Sequence, residues 1–131
     1  MNKLDATLNF HETALRVRGQ RQELLAANIA NADTPGYKAR DINFTETFKQ
    51  ALAGASGGLK AATTDASHIP ATAGHQNGVL FRSIIQGSVD GNTVDMDVER
   101  TQFADNALRY EASVTLISGQ IRKMLAAVQG Q

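Results

Sequence analysis

The stretch Asp95–Gln129, DMDVERTQFADNALRYEASVTLISGQIRKMLAAVQ, decides the fold. Within it Phe103, Ala107, Tyr110, Val114, Ile117, Ile121, Met124 and Val128 recur in alternating steps of four and three, and all are apolar. That spacing runs an apolar seam along one helix, the pattern of a coiled coil, with Leu108 and Leu125 widening it. Asp95, Asp97 and Glu99 crowd the start and Arg122 and Lys123 sit near the finish, as the helix macrodipole favours. A helix over 96–128 would run roughly 50 Å at 1.5 Å per residue, too long for a compact chain of this size to surround.

Working outward, the first thirty residues keep the same rhythm less well. Leu4, Leu8, His11, Leu15, Arg18, Gln22, Leu25 and Ile29 follow four-three steps, but three of them are polar. A second row, Phe10, Ala14, Val17, Arg21 and Leu24, runs beside the first. Two readings stay open: an ordinary amphipathic helix on a two-helix hairpin, or a helix that also touches neighbours from other chains. The helix stops at Asn31-Ala32-Asp33-Thr34-Pro35-Gly36-Tyr37, where Pro35 biases Thr34 to extended backbone and Pro-Gly suits a type II turn. Asn28, Asn31 and Asp33 offer short side chains to the freed backbone groups. Phe44, Phe48 and Leu52, spaced by four behind a possible Asn43/Glu46 capping box, predict a short helix.

Residues 32–94 hold both prolines and eight of the eleven glycines. Residues 53–78 have few large apolar groups and read as flexible. Val79–Ile85 predicts one strand, and Asp90-Gly91-Asn92 a turn before the last helix. The expected fold is therefore mainly α: long N- and C-terminal helices packed as an antiparallel coiled-coil hairpin, with a flexible middle containing a short helix and a little β. The zones are an N-terminal helix over 1–33, a middle segment over 34–94, and a C-terminal coiled-coil helix over 95–131.

Composition narrows the function. Thirteen basic and thirteen acidic residues give zero net charge, which argues against nucleic acid and anionic membranes as partners and leaves protein association open. Alanine supplies 20 of the apolar residues, and aromatics make up only 5% of the chain, so a core built from this chain alone would be thin. No window is apolar enough for a membrane span. Met1–Thr7, interrupted by Asp5 and followed by Glu12, does not read as a cleavable secretory signal.

No catalytic constellation assembles. His11-Glu12 opens like a zinc-protease signature, but Leu15 stands where the second histidine is needed. Asp90–Thr101 fails the calcium-loop register, with glycine at the second position and Thr101 at the final glutamate position. His68 and His75 lie with Asp65 in the middle that reads as flexible, and a metal site is not expected there. With no cysteine, phosphate loop or activated nucleophile, the expectation is a non-enzyme without cofactor or metal.

Residues 24–44, with Asn28, Asn31, Thr34, Pro35, Gly36 and Tyr37 at their centre, resemble the N-terminal motif of bacterial flagellar axial proteins, the family that builds rods and hooks. Asp90–Asn106 and His68-Ile69-Pro70 agree, and the chain looks most like the proximal rod subunits. The resemblance implies a structural rod subunit assembling through its terminal helices to transmit motor torque. Leu8, Leu15, Leu25, Ile29, Phe103, Tyr110, Val114, Ile117, Ile121, Met124 and Val128 would form the assembly interface, and His11, Arg18 and Gln22 polar contacts to adjacent subunits. Implied partners are other copies and rod proteins, the rod-base adaptor, the membrane-embedded MS ring and the type III export gate. The implied location is the periplasmic rod, reached without a signal peptide. Phe44-Thr-Glu-Thr-Phe48 resembles an export-gate motif, and simple packing of the short helix explains it as well. The alternatives are another axial component or a cytoplasmic coiled-coil export chaperone.

Overall fold

The computed structural model describes residues 3–53, 79–84 and 88–130. The expected flexibility of 53–78, the His68-Ile69-Pro70 motif, His75, Asp65, Ile85 and the side chain of Leu4 fall outside, apart from Ala53. The described residues form, in chain order, α1 (Lys3–Ala30), β1 (Arg40–Ile42), α2 (Phe44–Ala53), β2 (Val79–Phe81) and α3 (Met96–Val128).

The two long helices lie antiparallel. Asn28 meets Glu99, and Arg21 and Gln22 meet Gln102 and Asn106, so climbing one helix descends the other. α3 starts where the sequence places it, because Asp95 accepts hydrogen bonds from the backbone N–H groups of Asp97 and Val98. This satisfies donors that have no partner inside the helix. α1 ends at Ala30. Asn31 folds its amide back onto the Ala27 carbonyl at 2.8 Å, and Gly36 takes φ +73°. That angle, with Tyr37 N–H reaching the Thr34 carbonyl at 3.3 Å, is the type II turn that Pro35-Gly36 predicts.

Arg40–Ile42 form β1, paired antiparallel with β2 in the register Arg40↔Phe81, Asp41↔Leu80, Ile42↔Val79. The strand predicted over 79–85 is thus three residues long in its paired part. α2 begins as its spacing predicts, with the Glu46 N–H donating to Asn43 Oδ1 at 3.3 Å. Its Phe48 packs edge-on against Phe10 of α1, ring centroids 5.0 Å apart, and stacks with Phe44 at 5.6 Å. Aromatic pairs in these geometries add modestly to the area they bury.

The interior is unusual in kind. Among the described residues only Val17, Leu25, Ala39 and Ile42 are buried and apolar, against six buried polar ones: Thr13, Asn28, Thr47, Asn92, Glu99 and Asn106. On α1 the buried line runs Thr13, Val17, Leu25, Asn28, so it takes one member from each predicted row and two from neither. All the buried residues of α3 lie in its first three turns. The hairpin is closed at the end near β1 and open toward the chain termini.

Candidate assembly surface and polar clasp

The closed end is a clasp of polar side chains. Asn28, fully buried, gives its amide N–H to the Arg40 carbonyl at 2.7 Å and accepts the Arg40 N–H at 3.0 Å. One side chain of α1 thereby pairs with β1 as another strand would. The same amide donates to Glu99 Oε2 at 3.1 Å, and the Tyr37 hydroxyl approaches Asn28 Oδ1 at 3.4 Å. Asn92 does the equivalent for the turn, its Nδ2 donating to the carbonyls of Asn31, Ala32 and Thr34 at 2.8–2.9 Å. Thr93 completes the junction by accepting from Ala39 N–H and donating its own N–H to Tyr37.

Four charges sit against this frame. Arg21 forks onto both oxygens of Asp41 at 2.9 and 3.1 Å and reaches Gln102 at 2.8 Å. Arg82, just past β2, bridges Asp41 at 2.7 Å and Glu99. Burial alone would raise the Asp41 carboxyl, but hydrogen bonds from Arg21, Arg82 and the Ile42 N–H outweigh it and hold the group below its ordinary value. Glu99 goes the other way. Burial pushes it up, Asn28 and Arg82 pull it down only in part, and Asp41 adds repulsion. Arg21 is raised, chiefly by its hydrogen bond to Asp41.

The motif residues therefore divide into distinct tasks. Asn28 is a strut of the clasp, Asn31 caps its own helix and accepts the Thr34 hydroxyl, and Pro35-Gly36 turn the chain so that Tyr37 can reach back. Sequence reasoning assigned Asn28 to its own helix end, whereas it reaches across to the strand. It missed Arg21, Asp41, Arg82, Glu99 and Asn92 as a set, since partners 17 to 71 residues apart leave no local signal. A pointer existed in the form of polar residues on the face toward the other helix. Glu99, Gln102 and Asn106 follow helical spacing on α3, and it is these that make its hydrogen bonds to α1.

The apolar seam lies to one side of that polar line. Phe103, Ala107, Ile117 and Met124 are half-buried, while Tyr110, Val114 and Ile121 are exposed and Val128 is 86% exposed. Leu125 is also exposed. Leu108, expected to widen the seam, stands with Leu116 on the opposite face of the helix, where both are exposed. On α1, Leu8, Leu15 and Ile29 are half-buried and Leu25 is enclosed. α3 thus presents more apolar surface than one partner helix covers.

Of the polar candidates, Gln22 is used internally, accepting from Asn106 at 2.6 Å. Arg18 lies 4.3 Å over the Phe44 ring, its Nε buried without an acceptor among the described residues. Burial, with Arg109 nearby, lowers its pKa. His11 meets the edge of Phe10 at 5.5 Å. Phe44 and Phe48, the export-gate candidates, are half-buried in the packing described above. In the acidic stretch Asp90–Thr101, Asp90 accepts from Asn92 N–H and Ser88, and Asp95 caps α3. Among the described residues no His/Cys/Asp/Glu group could hold a metal, and no helix is long and apolar enough to cross a membrane.

The hairpin carries, at the end of its first helix, the Asn28–Tyr37 motif that resembles flagellar axial proteins. The profile of the family described as flagella basal body rod protein matches residues 8–38, the whole of that motif. Across 135 aligned residues the chain is 50% identical to the flagellar basal body rod protein FlgB of Salmonella typhimurium, covering 99% of this chain and 98% of that one. Against the Escherichia coli protein of the same name it is 50% identical over 134 residues, covering 98% and 97%. Against that of Buchnera aphidicola it is 39% identical over 133 residues. The chain belongs to the FlgB family of flagellar basal body rod proteins, and is a structural subunit of the rod.

Proposed function

We propose that this subunit builds the proximal rod by packing the open side of its hairpin against neighbouring subunits, and that torque passes through the resulting tube of helices. The observation that carries the reading is the unburied apolar surface of α3: Tyr110, Val114, Ile121, Leu125 and Val128 on one flank, Leu108 and Leu116 on the other. A monomer would hide such surface if it could. A subunit in a bundle needs more than one apolar side, because it touches more than one neighbour. Leu8, Leu15, Leu25, Ile29, Phe103, Ile117 and Met124 support this interface from within the hairpin.

The clasp fits the same role. It fixes the crossing of α1 and α3 at one end through directional hydrogen bonds, leaving the other end free to take its final packing from its neighbours. The partners are other copies, adjoining rod proteins, the rod-base adaptor and the MS ring. The protein does no catalysis and inserts in no membrane. It reaches the periplasmic rod through the type III export gate, with Phe44 and Phe48 as the gate motif. For that motif to be read, the contacts of Phe48 with Phe10 and of Phe44 with Arg18 must be undone, consistent with export of an unfolded chain.

The test is complementation of a strain lacking this chain, scored by swimming and by purification of basal bodies. Wild-type protein restores both and is recovered in the rods. A soluble chaperone would be absent from purified basal bodies, and that result would overturn the assignment.

A further inference from the structure

The segment 79–84 is fastened in an uncommon way. Three residues pair with β1, and the Arg82 N–H donates to the Ala39 carbonyl at 2.9 Å. Its apolar side chains contribute little adhesion, since Leu80, Phe81 and Ile84 are 59%, 73% and 61% exposed. What reaches inward is Arg82, whose guanidinium spans Asp41 and the fully buried Glu99. This strap is held by charge rather than by buried area.

We propose that the strap is a detachable element locked by ionised Glu99: protonating that carboxyl loosens 79–84 from the hairpin while α1 and α3 stay together. The geometry supplies the coupling. Arg82 from the strap, Asn28 and Arg21 from α1, and Asp41 from β1 are the groups around Glu99, and Tyr37 reaches Asn28 instead of the carboxylate. Among the described residues Arg82 alone gives Glu99 a salt bridge, so releasing the strap takes away its paired cation and leaves Asp41 as a repelling neighbour. Such a group takes up a proton more readily. By linkage, strap release raises the affinity of Glu99 for a proton, and the proton in turn favours release.

The sign is opposite for the hairpin. Burial already holds Glu99 above its ordinary value with the strap docked. A neutral Glu99 therefore suits the interior, and α1 and α3 lose nothing from this group as pH falls through its titration. Asp41 still grips Arg82 there, because Asp41 titrates below its ordinary value. Release is thus a loosening of the strap by one charge-assisted contact, on the order of tenfold in opening.

Hydrogen exchange followed by NMR on the full chain decides this, reading the protection factor of the Arg82 amide against those of Leu25 and Asn106. In the wild type, Arg82 protection drops about tenfold as pH falls through the Glu99 titration, and the helix amides do not follow. Glu99→Gln shows the low Arg82 protection at every pH. A pH-independent wild-type strap, an unchanged profile in Glu99→Gln, or helix amides falling together with Arg82 would each overturn the proposal. Arg82→Gln supplies a second measurement that does not depend on folding of the Glu99 variant. Its Glu99 carboxyl carbon should titrate at higher pH than in the wild type, and an unshifted titration overturns the coupling.

Discussion

Asn28 on α1 and Arg40 on β1 exchange two hydrogen bonds, amide N–H to carbonyl at 2.7 Å and backbone N–H to amide oxygen at 3.0 Å. A side chain here completes a ladder that no third strand provides among the described residues, and its location at zero exposure makes both bonds costly to lose. Asn28→Ala strands the Arg40 backbone groups and removes a donor from Glu99. The expected loss is about 2–4 kcal/mol, read as a lower urea midpoint at unchanged slope. Asn28→Asp is expected to be worse at neutral pH than in mild acid, because it sets a carboxylate against Glu99. Equal effects at both pH values would show that Glu99 does not carry charge there.

Asp41 gives the clasp its acid sensitivity. Its folded-state pKa lies below the ordinary value, so its interactions contribute stability above that value. The contribution is lost as pH falls through the folded pKa. Asp41→Asn should therefore cost about 2–4 kcal/mol near neutrality, as breaking a partly buried ion pair does, and progressively less in acid. Urea unfolding of both proteins across pH 7 to 3 checks the convergence, with pH limits taken to bracket roughly the ordinary carboxylate range. A constant difference would assign the cost to packing instead of charge.

The helices, their caps and the Pro-Gly turn were legible because each is written in adjacent residues: Asp95 before a run of helix formers, Pro35-Gly36 after Asn31, Phe44 and Phe48 one turn apart. The seam was legible too, but what it faces was not. An apolar row states that something covers it and does not name the partner, and in this chain polar Glu99, Gln102 and Asn106 supply the hydrogen bonds to α1. The clasp escaped notice because Arg21, Asp41, Arg82 and Glu99 meet only after the chain has folded. Nothing near Arg82 in sequence distinguishes it from a solvated arginine.

The asymmetry of burial predicts an asymmetric free subunit. Leu25, Asn28, Ala39, Ile42, Asn92 and Glu99 enclose one end of the hairpin, whereas no residue of α3 beyond Asn106 is buried. Ordering a residue costs about 1–2 kcal/mol of backbone entropy, and half-buried contacts at the terminal end do little to offset it. Before assembly the amides of α1 before Thr13 and of α3 beyond Val114 should exchange fast, with those near Leu25 and Glu99 protected. Circular dichroism should show helicity below that of the full-length helices and a broad thermal transition. A sharp transition from full helicity would contradict this.

Assembly and folding should then be separable by choice of residue. Ile121 is exposed in the single chain, so Ile121→Asp leaves the clasp and its amides untouched. Placed in a subunit interface, the same carboxylate would be desolvated without a cation, at a cost of several kcal/mol per site. Such a cost in every copy blocks rod formation. The variant is expected to be made, to retain wild-type protection around Leu25, and to yield neither swimming nor rods, and Ile117→Asp should block assembly likewise. Leu25→Ala makes the opposite case, since Leu25 is fully enclosed. Its truncation removes about 2–5 kcal/mol from the fold and lowers the urea midpoint of the subunit itself. If Ile121→Asp swims normally while Leu25→Ala destabilises as expected, the seam is not the assembly surface and the open side of α3 faces no neighbour in the rod.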